Sequence, residues 1–142
     1  MNKTIVLDSG PLGKLAHPRV NKDIKLWFET LLKNGAIFII PEIADYEVRR
    51  SLLHENLLKS VERLNELKKT LLYLPINTEA ILKAAELWPE ARKIGKPTSD
   101  PHALDGDVIL ASQALQVDGL VATENVGHLS LFTEAKPWYE IL

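Results

Sequence analysis

Short apolar runs alternate with amphipathic helical patterns along this chain, an arrangement typical of β–α units that build a mainly parallel sheet. The run TIVL at residues 4–7 does not alternate between polar and apolar positions, which predicts a first strand buried on both faces. Further strands are predicted at 36–40, 72–74 and 120–123, and a last short one at 138–142. The pattern therefore predicts an α/β fold with a mainly parallel sheet of four or five short strands.

Helical periodicity fills the segments between these strands. A brief helix is predicted from residue 10 to just before Pro18, and a second at 21–34, with Gly35 just past its end. The pattern at 41–72 is too long for one ordinary helix, so we expect two helices with a break near 54–56. Thr78 is expected to cap a helix that runs to residue 94 and that Pro89 should kink or divide. A loop at 96–101 and a helix at 104–117 complete the prediction.

Size and composition match one soluble globular domain that covers residues 1–142. The chain has 142 residues, of which 46% are hydrophobic and 25% charged, as is usual for a folded domain. The absence of cysteine excludes disulfides, thiolate zinc sites and a cysteine nucleophile. The longest apolar run is far shorter than the roughly 20 residues that span a bilayer, and an aspartate comes too early for a signal peptide. We therefore expect a cytoplasmic protein that does not associate with membranes.

Two acids stand at positions that favour a functional role. Asp8 directly follows the first predicted strand, and ligands of open α/β sheets bind beyond the carboxyl ends of the strands. Capping of the next helix would explain Asp8 equally well. Glu47 falls between Ala44 and Ser51 on the inner side of its predicted helix, where a carboxylate is costly unless a partner compensates it. Alternatively, Glu47 reaches solvent or pairs with Arg50.

Two later junctions repeat this placement. Asp107 shares a helical face with apolar and small residues, although a favourable charge at a helix start is the alternative interpretation. Asp105, two residues earlier, is predicted as the N-cap of that helix. Asn125 and Glu124 follow the strand at 120–123, and either could ligate a metal or hold a water molecule. Parallel topology would bring all these junctions to one edge of the sheet.

The predicted helices at 41–72 carry two further features. Glu42 and Asp45 are interpreted as solvent-facing acids of a first helical turn. Leucines in the second half of the region are interpreted mainly as core. Leu53, Leu57 and Leu58 nevertheless leave room for a groove that receives a helix of a partner protein.

Carboxylates brought to one edge repel one another unless a cation neutralises them. All-oxygen ligands select a hard ion such as Mg²⁺, or Mn²⁺, over zinc. Such an ion can polarise a phosphoryl oxygen and activate a water molecule. The net charge of −2 provides no basic field for nucleic acid, so a metal would let this chain handle RNA or DNA. The residues therefore point to metal-assisted phosphodiester hydrolysis.

Four blocks of the chain resemble the PIN-domain family and, within it, the VapC-like ribonuclease toxins. The blocks are IVLDSGPLG, IPEIADYEVRRSL, LDGDVILASQAL and GLVATENVGHLSLF, in the family's order and over nearly the whole chain. The resemblance places Asp8, Glu47, Asp107 and Asn125 at the four acidic positions of the active site. Asn125 departs from a full set of acids, which puts a second metal in doubt, and Gly10 stands where many relatives have Ser or Asn.

The resemblance implies a three-layer αβα sandwich and a Mg²⁺-dependent endoribonuclease, the toxin of a toxin–antitoxin pair. Asp8, Asp107 and Glu47 would hold the metal ion. It further implies an RNA substrate, a homodimer and a small antitoxin protein as partner. The residues interpreted as contacting the substrate are Ser9, Arg49, Arg50 and Thr123.

Two other functions remain open on the sequence. A PIN-type nucleic-acid-binding protein with little or no catalysis is favoured by Asn125, whereas the three acids favour an enzyme. An aspartyl-phosphate phosphatase that uses Asp8 is disfavoured, because Gly10 stands where a second acid would be needed. His102 and His128 could contact a substrate phosphate, although no pair of histidines has metal-ligand spacing.

Overall fold

The computed structural model describes residues 3–94 and 101–142, with the side chains of residues 101 and 102 excepted. The five strands are β1 Thr4–Leu7, β2 Ile37–Pro41, β3 Leu72–Leu74, β4 Leu120–Thr123 and β5 Ala135–Pro137. The helices of this part of the chain are α1 Ser9–Ala16, α2 Lys22–Lys33, α3 Glu42–His54, α4 Leu58–Thr70, α5 Thr78–Ile94 and α6 Pro101–Gln116. Two short 3₁₀ turns lie at Leu129–Leu131 and Trp138–Glu140.

The strands form one sheet in the order β3-β2-β1-β4-β5, and every neighbouring pair is parallel. In the middle of the sheet, Val6 of β1 is in register with Ile39 of β2 and Val121 of β4. A parallel sheet must be covered on both faces, and two separate hydrophobic clusters do so. One contains residues of α1, α2, α3 and α4, and the other contains residues of α5 and α6. The expected three-layer αβα sandwich is therefore confirmed.

The chain passes between α3 and α4 where the sequence predicted a break. Asn56 adopts a positive φ of 57°, a conformation that asparagine tolerates better than most residues. Pro89, by contrast, does not divide α5, which runs through it. Leu87 and Ala91 on either side of Pro89 are buried in the second cluster, and this packing maintains the helix. Asn77, not Thr78, caps α5, since its Oδ1 accepts from the backbone N–H of Ala80 at 2.9 Å.

The prediction of a last strand at 138–142 is wrong. The strand that completes the sheet is β5, and Trp138 begins a 3₁₀ turn directly after it. The Trp138 ring turns into the core, 5.5 Å from the ring of Trp27. The Trp27 indole N–H donates to the carbonyl of Ile141 at 3.0 Å. Packing of the tryptophans thus decides the path of this segment.

Two sequence predictions near helix starts are also corrected. Asp105 is not an N-cap, because α6 begins at Pro101. The predicted loop at 96–101 lies outside the described residues except for Pro101. Asp45 does not face solvent: its side chain is 8% exposed and pairs with Arg49 at 2.9 Å and Lys68 at 3.0 Å. In the ranges that the structure describes, no helix is long and apolar enough to cross a bilayer.

Candidate active site

A cleft of about 700 Å³ opens where β1 and β4 end, at the edge of the sheet formed by their carboxyl ends. It brings together the four positions that the sequence singled out, Asp8, Glu47, Asp107 and Asn125. The other residues that line it are Ser9, Gly10, Arg50, Ala103, Leu104, Thr123, Glu124, Gly127 and His128. Side chains from α3 and α6 thus meet those that follow two adjacent strands.

Asp8 lies one residue beyond β1 and is held from two sides. Its backbone N–H donates to the carbonyl of Ala122 at 3.0 Å, which extends the pairing of β1 with β4. Its Oδ1 accepts from the backbone N–H of Ser9 at 2.7 Å and so caps α1. Its Oδ2 accepts from the Thr123 hydroxyl at 2.7 Å. The two interpretations of Asp8 are therefore compatible, since the residue caps a helix and also lines the cleft.

Glu47 reaches the cleft from α3 and lies directly against α6. A Cβ atom built at Gly106 would stand 2.6 Å from Glu47 Oε2, so the absence of a side chain at Gly106 makes room for the carboxylate. Burial raises the pKa of Glu47, the charges of Asp8 and Asp107 raise it further, and the nearby Arg50 opposes them. Sequence reasoning missed Gly106, although a glycine within a helical pattern is a signal of close packing.

Asp107 occupies the second turn of α6 and faces the same cleft. Burial raises its pKa to about 6, with a further contribution from the charge of Asp8, while His128 acts in the opposite direction. Asp107 is therefore harder to ionise than an ordinary aspartate. It lies too far into α6 to be explained as a charge at the helix start.

The donor set of the cleft is chemically suited to a hard divalent cation. Its carboxylate, amide and hydroxyl groups offer oxygen atoms, and a cation would relieve the repulsion that raises the pKa values of Glu47 and Asp107. Within residues 3–94 and 101–142, however, no three Asp, Glu, His or Cys side chains are grouped so as to hold one ion together.

Thr123 organises the polar residues that follow β4. Its side chain is buried, and its hydroxyl both donates to Asp8 and accepts from the backbone N–H of Asn125 at 3.1 Å. The Thr123 hydroxyl lies 2.7 Å from Asp8 Oδ2 and 3.1 Å from the carbonyl oxygen of Asn125, and by the shorter bond it orients Asp8. Contact of Thr123 with substrate stays a prediction. Ser9 Oγ lies 3.5 Å from Asp8 Oδ1. Asn125 itself is exposed at the cleft.

Glu124 lines the cleft, but its carboxylate is engaged beside it. Glu124 Oε1 pairs with Lys14 Nζ at 2.7 Å and accepts from the Trp138 indole N–H at 3.1 Å. Its Cγ covers Gly10 so closely that a Cβ there would stand only 2.4 Å away. This packing explains a glycine at position 10. Asp105 lines a different cavity with residues of α5 and does not join the cleft.

The two neighbouring arginines of α3 have different environments. Arg50 is exposed and lines the cleft, with its guanidinium carbon 5.0 Å from the centre of the Tyr46 ring. Arg49 does not line the cleft, because its guanidinium is held by Asp45 and donates to Asn65 at 2.9 Å. Of the two arginines, Arg50 therefore lines the cleft and Arg49 does not, while substrate contact stays a prediction for both.

The comparisons with known proteins support the fold. No protein-family model and no curated protein sequence matches this chain. Solved structures do match over nearly its full length. In the structure of VapBC2 from Rickettsia felis bound to a promoter DNA fragment, the matching chain has a TM-score of 0.76 and 15% identity, with 95% of this chain and 98% of that chain covered.

Two further structures agree with this match. A chain of FitAcB from Neisseria gonorrhoeae matches with a TM-score of 0.71 and 22% identity, over 96% of this chain and 99% of its own. A chain of VapBC-1 from nontypeable Haemophilus influenzae matches with a TM-score of 0.71 and 18% identity, and it too covers 96% of this chain and 99% of its own. The chain therefore has the fold found in these complexes, and the PIN-like architecture that its motifs implied is confirmed.

Proposed function

We propose that this chain is a Mg²⁺-dependent endoribonuclease, the toxin of a VapBC-type toxin–antitoxin pair, and that it acts in the cytoplasm. The observation that carries the proposal is the convergence of Asp8, Glu47 and Asp107 in one cleft. Asp8 follows β1, Glu47 lies on α3 and Asp107 lies on α6. Burial, and next to it the charge of Asp8, raises the pKa values of Glu47 and Asp107. Elevated pKa values of this kind in a cleft are a mark of functional sites.

Asp8 and Asp107 are the residues proposed to hold the metal ion, with Glu47 direct or through water and Asn125 in support. Bound Mg²⁺, or Mn²⁺ in its place, supplies polarisation of a phosphoryl oxygen and a more acidic water molecule. Glu47 lines the same cleft as Asp8 and Asp107, and its ionised carboxylate is suited to accept a proton from the attacking water. Thr123 keeps Asp8 in orientation through its 2.7 Å hydrogen bond.

Arg50 is proposed to contact the substrate. It is the arginine that lines the cleft, and a guanidinium binds phosphate oxygens in a bidentate manner. The chain as a whole carries a net charge of −2, so cations at the site must offset the repulsion between RNA and the carboxylates. Arg50 and the metal ion together would supply that charge.

The proposed protein partner is a small antitoxin, and the proposed assembly includes a homodimer. The surface proposed for the antitoxin is formed by Leu53, Leu57 and Leu58, which are 54%, 43% and 57% exposed at the junction of α3 and α4. Exposed leucines at such a junction suit an apolar face of a partner helix. The matching structures from R. felis and H. influenzae are described as VapBC complexes, which supports a partner of this kind.

Cleavage of defined tRNA and mRNA fragments tests the activity. The wild type should cut RNA in Mg²⁺ or Mn²⁺ and stop in EDTA, and Asp8→Asn should abolish cleavage without changing the circular dichroism spectrum. Asp118→Asn is the matched control, because Asp118 is exposed, precedes β4 at the opposite end of the strand, and has a φ of 49° that asparagine also adopts.

Each alternative outcome has a definite meaning. Cleavage that persists in EDTA would refute the requirement for a metal ion. Cleavage retained by Asp8→Asn would show that Asp8 is not needed for the reaction. An intact wild type that binds RNA but never cuts it would favour the non-catalytic nucleic-acid-binding protein instead. Exposed Asn125 at the cleft is the observation that keeps that second function in view.

A further inference from the structure

A second groove continues from the candidate active site along α1. Its volume is about 420 Å³ and it is lined by Gly10, Gly13, Lys14, His17, Arg19 and Asn21. Gly10 also lines the active-site cleft, so the two depressions meet at this residue. We refer to this feature as the α1 groove.

The α1 groove is basic, in contrast to the acidic cleft beside it. Arg19 is exposed, and its guanidinium forms no ion pair with any residue that the structure describes. His17 is exposed as well, and its Nδ1 accepts from the backbone N–H of Arg19 at 3.0 Å, which fixes the turn that carries both side chains. Lys14 is paired with Glu124, yet its side chain remains 49% exposed.

The walls of the α1 groove permit close approach of a ligand. Gly13, one turn of α1 beyond Gly10, presents no side chain to the groove, whereas Gly10 is covered by Glu124 Cγ. Asn21 caps α2, since its Oδ1 accepts from the N–H groups of Asp23 and Ile24. Its amide group, which is not needed for the cap, provides a further hydrogen-bond donor. A groove that offers the guanidinium of Arg19, unpaired among the described residues, the half-exposed Lys14 and the amide donor of Asn21 suits phosphate groups.

We propose that the α1 groove binds the sugar–phosphate backbone of single-stranded RNA on one side of the bond that is cut, with Arg19 and His17 contacting phosphates. The inference rests on the proposed nuclease function, because it places the reacting phosphate in the acidic cleft. Gly10 lines both depressions, and the ion pair of Lys14 with Glu124 lies at their junction, so the strand would pass beside this pair into the groove. Since the chain has a net charge of −2, this local charge provides a defined path for a polyanion.

Cleavage kinetics on RNA substrates of graded length test this subsite. Fluorescent oligouridines are extended from a dinucleotide to a dodecamer, on the 5′ side alone or on the 3′ side alone. The variants are Arg19→Gln and the double variant His17→Gln with Arg19→Gln. Arg92→Gln is the matched control, because Arg92 is also exposed and lies on α5, across the sheet from α1. Thermal melts establish that all variants are folded.

The double variant should raise KM for the longest RNA by about ten-fold, with a weaker dependence of KM on salt because fewer counterions are released. The defect should shrink as the RNA is shortened, and it should depend on extension of one side only. The control Arg92→Gln should match the wild type at every length.

The failure of this inference is distinguishable from failure of the proposed function. If the wild type cleaves RNA and all variants have the same KM, the α1 groove does not bind RNA, whereas the proposed nuclease function is retained. Absence of cleavage, with RNA binding by fluorescence anisotropy that still requires Arg19, would refute the nuclease and keep the groove. If the variants bind RNA normally but lose affinity for a polyglutamate peptide, the groove serves an acidic protein segment and the proposal is wrong.

Discussion

The hydroxyl of Thr123 donates a 2.7 Å hydrogen bond to Asp8 Oδ2, although the two residues lie 115 positions apart in the sequence. The bond joins the ends of the two adjacent strands β1 and β4. The same hydroxyl accepts from the backbone N–H of Asn125. The buried side chain of Thr123 therefore sets the orientation of Asp8 and the position of the backbone of Asn125.

Thr123→Val should lower both activity and stability, because valine has a similar shape but no hydroxyl. Asp8 would lose a hydrogen bond inside a partly buried site, which costs about 1–3 kcal/mol of unfolding free energy. We expect kcat for RNA cleavage to fall about ten-fold, the rate equivalent of 1.4 kcal/mol. Urea denaturation and single-turnover kinetics measure the two effects. Thr123→Ser keeps the hydroxyl and should restore most of both; a serine variant as impaired as the valine variant would refute the role of the hydrogen bond.

The raised pKa of Asp107 predicts the pH dependence of stability. The folded protein retains this proton up to a pKa of about 6, whereas the unfolded chain loses it near 3.9. The free energy of unfolding of the metal-free protein should therefore fall as pH rises through this interval. Asp107→Asn removes the ionisation, so the variant should melt roughly 4 °C higher than the wild type above pH 6, a value discounted for solvent screening. Below pH 4 the two should converge.

Thermal melts in EDTA at a series of pH values provide this measurement. Addition of Mg²⁺ should then raise the melting temperature of the wild type more than that of Asp107→Asn, because the variant replaces a charged carboxylate by a neutral amide that binds the ion more weakly. A variant that is strongly destabilised at pH 8 would show that Asp107 has a structural role instead.

Arg49 and Arg50 should separate stability from substrate binding. Arg49→Gln removes one of two cations from buried Asp45, leaving Lys68, and should cost about 2 kcal/mol of unfolding free energy without changing KM. Arg50→Gln should keep the melting temperature and raise KM about ten-fold through the loss of a phosphate contact. Arg50→Gln should also move the acidic limb of the pH–rate profile to higher pH, because Arg50 lowers the pKa of Glu47. Equal effects of the two variants on KM would contradict the assignment.

Leu57→Glu should weaken binding of the proposed antitoxin while the nuclease stays active. Burial of an exposed leucine contributes roughly 1.5–3 kcal/mol, so the loss of one anchor should weaken the complex by about ten-fold or more. Leu82→Glu is the control, since Leu82 is 62% exposed on α5, away from the α3–α4 junction. Calorimetry with the co-expressed partner measures the difference. Unchanged affinity, or an unfolded Leu57→Glu, would place the partner's surface elsewhere.

The sequence by itself determined the order of the elements and the positions of the acids. Continuous apolar runs predict strands, and β1, β2, β3 and β4 lie at those runs. β1 is buried as its run predicted, whereas Leu72 of the edge strand β3 is 59% exposed. Asp8, Glu47, Asp107 and Asn125 follow strands or lie on helices, and a parallel sheet brings their elements to one edge. These features depend on the local periodicity of apolar residues and on the alternation of strands and helices, and both can be read from the order of residues along the chain.

Only the tertiary structure decided which partner each polar side chain finds. Asp45 and Glu47 lie two positions apart on one helix, yet Asp45 is buried against Lys68 of α4 and Glu47 faces the cleft. Gly106 leaves room for the carboxylate of Glu47, which lies against it. Trp138 turns inward because its ring packs against the ring of Trp27. Each of these outcomes depends on contacts between residues distant in sequence, where packing overrides local propensity.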